Sequence, residues 1–249
     1  MKRSLFAERH PYWFVVIMEI VVIFVYLLAG TIAHFRNLSN LALYGLANLG
    51  LTIVGATLLT GMGWWKATGF RAPRQRSDLL YFIVPFIPMV INLIPGVEVT
   101  SLQFLLENFA VTFMVGFVEE VFFRGLMLNA LKAQGFWKAV ILTSVLFGLT
   151  HAMNMMAGKN IAEDAAQIFY ALAIGFAFAV LVWRTGIIWP LVIVHFLIDF
   201  ANFIQKPDFT YPAGWDLVIV LGIAVIFTAY GFWIRLQKPL HNQSVLDPA

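Results

Sequence analysis

Long apolar runs separated by short polar segments dominate this chain. Eight such runs can be delimited, at residues 13–35, 41–65, 79–95, 100–131, 138–156, 161–183, 187–204 and 215–235. A helix needs about 20 residues to cross the hydrocarbon core of a bilayer. The pattern therefore predicts an all-α fold, a polytopic membrane helix bundle of about eight transmembrane helices. Because no internal repeat and no second domain are visible, residues 1–249 are expected to form a single membrane domain.

Two of the runs depart from a simple membrane span. The run 100–131 is long enough to project beyond the bilayer. The run 79–95 is short and contains Pro85, Pro88 and Pro95. Because proline interrupts helical hydrogen bonding, we expect this segment to be kinked or to form only part of a span.

The composition supports a membrane protein and excludes several other classes. The chain is 61% hydrophobic and 12% charged, whereas about 25% of residues are charged in soluble domains. It contains no cysteine, which excludes disulfides, thiolate metal sites and cysteine nucleophiles. The net charge is +3, but the basic residues lie in short loops and form no basic face. We therefore expect the lipid bilayer as a partner and no nucleic acid.

Positive charge is distributed unevenly between alternate loops. Twelve Lys and Arg residues fall on one side, and three fall on the other, namely Arg36, Lys159 and Lys206. Cytoplasmic loops of membrane proteins carry an excess of Lys and Arg. The sequence therefore predicts a multi-pass protein of the cell membrane, with both termini and the 66–76 loop in the cytoplasm.

Ionisable side chains interrupt three of the apolar runs. Such groups are costly inside a membrane, and they usually face a protein interior or a watery cavity where they have a function. At about 1.5 Å per residue, Glu119, His151 and His195 lie roughly 18, 20 and 12 Å from the cytoplasmic helix ends. Similar depth on three helices predicts one shared site. Its candidate residues are Glu119, Glu120, Arg124, His151, His195 and Asp199.

Spacing within each run predicts different tasks for these residues. Glu120 and Arg124 are four residues apart in the order that favours an ion pair on a helix, and we expect this pair to be mainly structural. Glu119 points about 100° away from Glu120, so it is the acid expected to remain free for proton transfer. His195 and Asp199 also share a helix face, so the carboxylate can orient the imidazole or share in binding a polar group.

Nearby residues are given smaller roles. Gly116 and Gly148 each lie three residues before a candidate, Glu119 and His151 respectively, and are expected to leave room for a substrate or water. Glu19 is a single acid near a span end, and we expect it to contact a loop or a snorkelling partner. A lone intramembrane histidine is often only a packing residue, but three such groups at one depth favour a functional site.

The three motifs, taken in order, resemble those of a known family. They are Glu119-Glu120-x-x-x-Arg124, Phe147-x-x-x-His151 and His195-x-x-x-Asp199. The chain is similar in this respect to the CAAX-protease and bacteriocin-processing (CPBP, also called ABI) intramembrane proteases. The motifs cover about residues 115–200, the eight-helix layout is also similar, and the catalytic core is expected at about 100–204.

The resemblance implies an intramembrane endopeptidase, similar to the type 2 CAAX prenyl protease. Its substrate would be a protein or peptide that is lipidated or membrane-anchored. In this family the residue matching Glu119 would activate a water for attack on a peptide carbonyl, assisted by His151. His195 and Asp199 would stabilise the resulting oxyanion. The supporting residues would be Glu120 and Arg124.

The metal requirement stays open at the level of sequence. Glu119, His151 and His195 could supply three ligands to Zn²⁺ and leave a fourth position for water, which would make the protein a metalloprotease. Alternatively, Glu119 could act as the base without a metal. The ligand spacing matches no compact zinc motif, which slightly favours the second mechanism.

Two other functions are compatible with parts of the pattern. A proton- or metal-coupled transporter could use the same glutamate and histidine cluster as an ion site. Against this alternative, the chain lacks detectable inverted repeats, and the polar residues cluster in one place without lining a path. A non-catalytic membrane partner would not require two histidines at matched depth.

The depth count also predicts the direction from which the site is reached. All three candidate positions lie nearer the cytoplasmic helix ends, and hydrolysis requires water at that depth. We therefore expect a cavity that opens to the cytoplasm or sideways to the inner leaflet.

The predicted topology can be tested with single cysteines, because the chain has none of its own. Cysteines replacing Ser77 and Asn160 should react with a membrane-impermeant thiol reagent from opposite sides of the membrane. Reaction of both from the same side would contradict the order of spans from which the depths were counted.

Overall fold

Helices make up nearly all of the regular structure. The computed structural model describes residues 5–152 and 161–237, with the side chains of residues 161–164 not described. Within these ranges the extended pairing is a single bridge between Val97 and Gln205. The predicted all-α class is confirmed.

Ten α-helices lie within the described ranges. They are α1 (Phe6–Arg9), α2 (Pro11–Arg36), α3 (Asn40–Met62), α4 (Ile87–Asn92), α5 (Leu102–Glu119), α6 (Leu128–Leu131), α7 (Phe136–His151), α8 (Ile161–Thr185), α9 (Trp189–Ile204) and α10 (Trp215–Leu236). A π-helix, Glu120–Met127, joins α5 to α6 without a break, so the helical chain is continuous over residues 102–131. Short 3₁₀ helices occupy Arg76–Phe82, Val84–Phe86 and Lys132–Gln134.

Turn chemistry sets several helix ends. The Ser39 hydroxyl accepts a hydrogen bond from the Ala42 amide at 3.2 Å, and Ser101 does the same for Phe104 at 3.0 Å. Both serines thus satisfy free amides of a first helical turn. At the other end of α3, Gly63 adopts a φ of +68°, a left-handed conformation that glycine reaches without strain.

Four helices in the described ranges are long and apolar enough to cross a membrane. They are Pro11–Arg36, Asn40–Met62, Ala165–Thr185 and Trp215–Leu236. Two further apolar helices, Phe136–His151 and Trp189–Ile204, are shorter than a usual span. The apolar helices support a membrane protein, but the predicted count of about eight transmembrane helices is not confirmed.

The segment 79–95 does not form one transmembrane helix. Its longest α-helical part is α4, with six residues, or about 9 Å of helix. Pro85 and Pro88 occupy the first turns of two successive short helices, where a missing amide costs least. The segment nonetheless connects two distant loops. Before the segment, Arg71 donates a hydrogen bond to the Gly186 carbonyl. After the segment, the Gly96 carbonyl accepts a hydrogen bond from the Lys206 amide.

Contacts between loops define two ends of the bundle. At the first, Lys132 Nζ donates to the Ala67 carbonyl at 3.2 Å, and Arg184 donates to the Gln237 carbonyl at 3.2 Å. We call this the basic end; it comprises residues 64–76, 132–138, 184–189 and 235–237. The opposite end comprises residues 96–101 and 205–214, held together by the Val97–Gln205 bridge.

The Lys and Arg residues of the described ranges are concentrated at the basic end. Arg36 and Lys206 lie toward the opposite end, and Arg124 lies inside the bundle. Lys2, Arg3, Lys159 and Lys238, together with the labelling position Asn160, fall outside the described residues. Which end faces the cytoplasm stays a prediction from the charge distribution. Arg9 ends α1. The other eight basic residues belong to the basic end: Lys66, Arg71, Arg74, Arg76, Lys132, Lys138, Arg184 and Arg235.

Two glycines bring helices into close contact. A Cβ on Gly116 would lie 2.7 Å from the backbone nitrogen of Phe196, so α5 and α9 touch at this position. A Cβ on Gly148 would lie 2.6 Å from the Leu172 side chain on α8. The prediction that these glycines leave room for substrate or water is therefore wrong, because neighbouring helices already fill the space.

The close approach at Gly116 yields a stability prediction. Gly116→Ala should lower the free energy of unfolding by about 1–3 kcal/mol, the usual cost of overpacking, because backbone cannot move aside as a side chain can. Gly222→Ala in α10 is the matched control, since nothing lies within 4 Å of its added Cβ. Thermal unfolding in detergent measures both. Equal stability of the two variants would contradict the packing described here.

Candidate active site

The first motif lies at a change of helix type. Glu119 is the last residue of α5, and Glu120 is the first residue of the π-helix. All eight residues of that π-helix are buried. Single π turns within α-helices are rare and frequently occur at functional sites.

Glu120 is the most buried acid of the site, with 0% of its side chain exposed. Its Oε1 accepts from Arg124 Nη1 at 3.2 Å and from His195 Nδ1 at 2.9 Å. An ionised carboxylate can only accept hydrogen bonds, so the Nδ1 of His195 carries the hydrogen in this contact. Glu120 therefore fixes both the tautomer and the orientation of the imidazole.

The other face of His195 points toward two more carboxylates. Its Nε2 lies 3.4 Å from Glu119 Oε2 and 3.8 Å from Asp199 Oδ2. Both distances exceed an ordinary hydrogen bond. The side chains of Glu119 and Asp199 are 17% and 28% exposed, in contrast to that of Glu120. The two outer acids thus form the accessible side of the cluster.

This geometry adds a contact to each of two expected pairs. Asp199 was expected to orient His195 or to share in binding a polar group, and its Oδ2 lies 3.8 Å from His195 Nε2. The closest contact of the imidazole is with Glu120 on another helix. The expected Glu120–Arg124 ion pair is present. It serves a second purpose, because the same oxygen of Glu120 also holds His195.

Arg124 is held by aromatic rings as well as by Glu120. Its guanidinium carbon lies 4.1 Å from the centroid of the Phe147 ring and 5.5 Å from that of Phe178. Such cation–π contacts stabilise a desolvated cation. Gly175 makes the arrangement possible, because a Cβ there would lie 3.2 Å from the Phe147 ring and 3.5 Å from Arg124 Nη2.

His151 occupies the last turn of α7. Its Nδ1 lies 2.8 Å from the Phe147 carbonyl oxygen, and since a carbonyl accepts, this nitrogen is the donor. The Nε2 has no hydrogen-bond partner among the described residues, so it is available to a water or a substrate. The Phe147 ring contacts both imidazoles, with centroid distances of 4.7 Å to His151 and 6.3 Å to His195.

Glu19 has a role that the sequence interpretation missed. It was expected to contact a loop, but it is buried in α2, and its Oε1 accepts from the Thr150 hydroxyl at 2.7 Å. Thr150 directly precedes His151, so the contact ties α2 to the helical turn that carries this histidine. The signal was available, because Glu19 is the one acid in the 26 residues of α2.

A cavity of about 450 Å³ connects the second and third motifs. It is lined by His151, His195 and Asp199, with Phe147 and Phe178 among its apolar walls. It continues past these side chains to Gln205, Tyr211 and Asp216, which lie at or beside the opposite end. The expected opening to the cytoplasm or sideways to the inner leaflet stays a prediction.

The candidate zinc ligands do not form a metal site. Among the described residues, no group of three or more His, Cys, Asp or Glu side chains is arranged to hold a metal ion. Glu119 and His195 are neighbours, but the contact of His151 is with the Phe147 carbonyl. A metalloprotease mechanism through Glu119, His151 and His195 therefore gains no support from the geometry.

Comparison with known proteins identifies one family. Residues 101–201 match the family model described as "Type II CAAX prenyl endopeptidase Rce1-like". The match spans 101 of the 249 residues and includes all three motifs, which confirms the resemblance stated from them. No curated protein and no solved structure matches the chain.

The two adjacent acids should differ in their effect on stability. Glu120→Gln should lower the free energy of unfolding by about 3–5 kcal/mol, because breaking a buried pair leaves Arg124 without its countercharge. Glu119→Gln should change it by much less, since Glu119 is partly exposed and makes no short hydrogen bond with His195. Thermal unfolding of the two detergent-purified variants provides the comparison. A larger loss for Glu119→Gln would reverse the assignment.

Proposed function

We propose that this chain, whose residues 101–201 match the family of type II CAAX prenyl endopeptidases, hydrolyses peptide bonds within the membrane. One observation carries the proposal: His195 lies within 3.8 Å of Glu119, Glu120 and Asp199, inside a bundle of apolar helices. His195 and Asp199 line the cavity, and acids in contact with an imidazole are the groups that general acid–base hydrolysis requires.

Glu119 is the proposed general base. It is the accessible acid nearest to His195 Nε2, and unlike Glu120 it is not held by Arg124. Glu119 would remove a proton from a water whose oxygen attacks the carbonyl carbon of the scissile peptide. The same proton would then pass to the leaving amine as the C–N bond breaks, so Glu119 returns to its starting state. His151, with a free Nε2, would assist in placing the water.

His195 is the proposed donor to the developing oxyanion. Glu120 holds its Nδ1, so the Nε2 is presented to the accessible side of the cluster. When this nitrogen carries a proton, it can donate to the tetrahedral oxygen, and donors fixed in advance are the effective ones. An ionised Asp199 cannot donate. Asp199 therefore acts either in its protonated form or through His195.

The substrate must present an extended backbone. An intact helix in lipid keeps every carbonyl in a hydrogen bond, so a cleavable segment must be unwound or already extended. The cavity of about 450 Å³ suits a short stretch of peptide better than a whole helix, whose diameter is about 10 Å. We infer a protein or peptide substrate that is lipidated or membrane-anchored. The transporter alternative has no feature of the described residues in its favour.

The proposed chemistry predicts a large loss of activity on one substitution. Glu119→Gln should lower the hydrolysis of an internally quenched peptide by about 10²–10⁴-fold, the usual contribution of a general base. Glu107→Gln is the control, because Glu107 is exposed on α5 and bonds only to Gln103 among the contacts described. Detergent-purified proteins should be compared at equal folded concentration. Full activity of Glu119→Gln would exclude Glu119 as the base.

A further inference from the structure

One buried acid, Glu19 of α2, lies outside the catalytic cluster. Only 9% of this residue is exposed, and α2 is long and apolar enough to cross a membrane. Its Oε1 accepts from the Thr150 hydroxyl at 2.7 Å, whereas its Oε2 has no hydrogen-bond partner among the described residues. A single neutral hydroxyl compensates poorly for the burial of a carboxylate. Stability therefore does not explain this acid, and acids in such positions usually have a function.

The Thr150 hydroxyl lies between two acceptors on different helices. Besides Glu19 Oε1, the Leu146 carbonyl oxygen of its own helix lies 2.9 Å away. A threonine inside a helix commonly bonds to this carbonyl, four residues before it. The additional contact with Glu19 fixes the hydroxyl, and the turn that carries it, relative to α2.

That turn also carries His151, which follows Thr150 directly and is the last residue of α7. Helix ends lack part of their backbone hydrogen bonding and open more easily than helix interiors. The His151 Nδ1 donates to the Phe147 carbonyl at 2.8 Å, which orients the ring relative to its own turn. The bond between Thr150 and Glu19 holds the turn itself against the rest of the bundle.

A second polar residue of α2 shows which way this face of the helix points. Tyr26 lies seven residues after Glu19, so the two side chains share one face. The Tyr26 hydroxyl donates to Asn48 Oδ1 on α3 at 3.0 Å. The charges of Glu119 and Asp199 both act on Tyr26. The polar face of α2 is therefore directed toward the catalytic cluster.

We propose that Glu19 is a positioning residue of the catalytic site. Through the Thr150 hydroxyl it fixes the helical turn that presents His151, the group that would place the attacking water. The helix α2 then completes a site whose other residues all lie within the matched region 101–201. This inference rests on the proposed peptidase function and adds a residue, outside that region, on which the placement of His151 depends.

Two substitutions of Glu19 separate positioning from stability. Glu19→Met removes the acceptor but strands no buried group, because Thr150 keeps the Leu146 carbonyl as its partner. Glu19→Gln keeps an oxygen that can accept from Thr150. The control is Thr31→Leu, since Thr31 is exposed on the same helix and bonds to the Leu27 carbonyl within it. For each detergent-purified variant, kcat and KM for a quenched peptide and the free energy of unfolding are measured.

We expect Glu19→Met to lower kcat by about 10–100-fold, because a misplacement of about 1 Å can cost about 10²-fold. Its KM should stay within about twofold of the wild-type value, and its free energy of unfolding should not fall. Glu19→Gln and Thr31→Leu should keep most of the wild-type kcat. If Glu19→Met folds poorly, Glu19→Leu gives the same comparison.

Three results would overturn the proposal. The first is an unchanged kcat in Glu19→Met. The second is a loss of kcat that appears only together with a lower free energy of unfolding, because a merely structural role has that effect. The third is an equal loss of kcat in Glu19→Gln, which would exclude the route through the Thr150 hydroxyl.

The placement of His151 can also be measured without activity. Diethyl pyrocarbonate modifies accessible imidazoles, and mass spectrometry of the digested protein gives a rate for each histidine. We expect His151 to react at least about threefold faster in Glu19→Met than in the wild type, because its turn opens more easily. The rate of His34, which is exposed at the far end of α2, should not change. Equal rates for His151 in the two proteins would contradict the proposal.

The two readouts also distinguish this proposal from the peptidase function on which it rests. Failure of the wild-type protein to cleave any peptide would overturn the proposed function. The modification rate of His151 would still show whether Glu19 holds its turn in place.

Discussion

A single buried carboxylate, that of Glu120, connects the structural and the chemical parts of this molecule. Its Oε1 neutralises Arg124 within its own helix and holds His195 on α9. Burying one charge without its partner would cost several kcal/mol, so the three groups must be present together. The π-helix, the aromatic rings around Arg124 and the glycine contact between α5 and α9 all serve to bring these side chains to one place.

The same packing separates a fully buried side of the cluster from a partly exposed side. Glu120 and Arg124 face the closed interior, where a fixed charge can orient an imidazole without competition from water. Glu119 and Asp199 are partly exposed, and Asp199 lines the cavity together with His195. A peptidase in a membrane needs this division, because its catalytic groups must be held in place while water and substrate still reach them.

Much of the site could be predicted from sequence, and the remainder depended on contacts that spacing does not encode. The pairing of Glu120 with Arg124 follows from a four-residue separation, and the proximity of Glu119 to His195 from matched depth. The contact of Glu120 with His195 joins two helices, so no periodicity within either helix predicts it. The π-helix likewise cannot be predicted from the sequence, because Glu120 and Arg124, four residues apart, would pair equally well in an α-helix. The short helices within 79–95 show that an apolar run with several prolines can connect the two ends of a bundle without forming one long helix.

The central claim is that Glu120 acts on His195 directly, and a double-mutant cycle tests it most closely. Glu120→Gln and His195→Leu would be made singly and together, and the free energy of unfolding measured for each in detergent. Residues in one hydrogen-bonded network show coupling of about 0.5–3 kcal/mol, so the loss caused by Glu120→Gln should change by this amount when His195 is absent. Losses that add within about 0.3–0.5 kcal/mol would contradict the claim, because two independent side chains behave in that way.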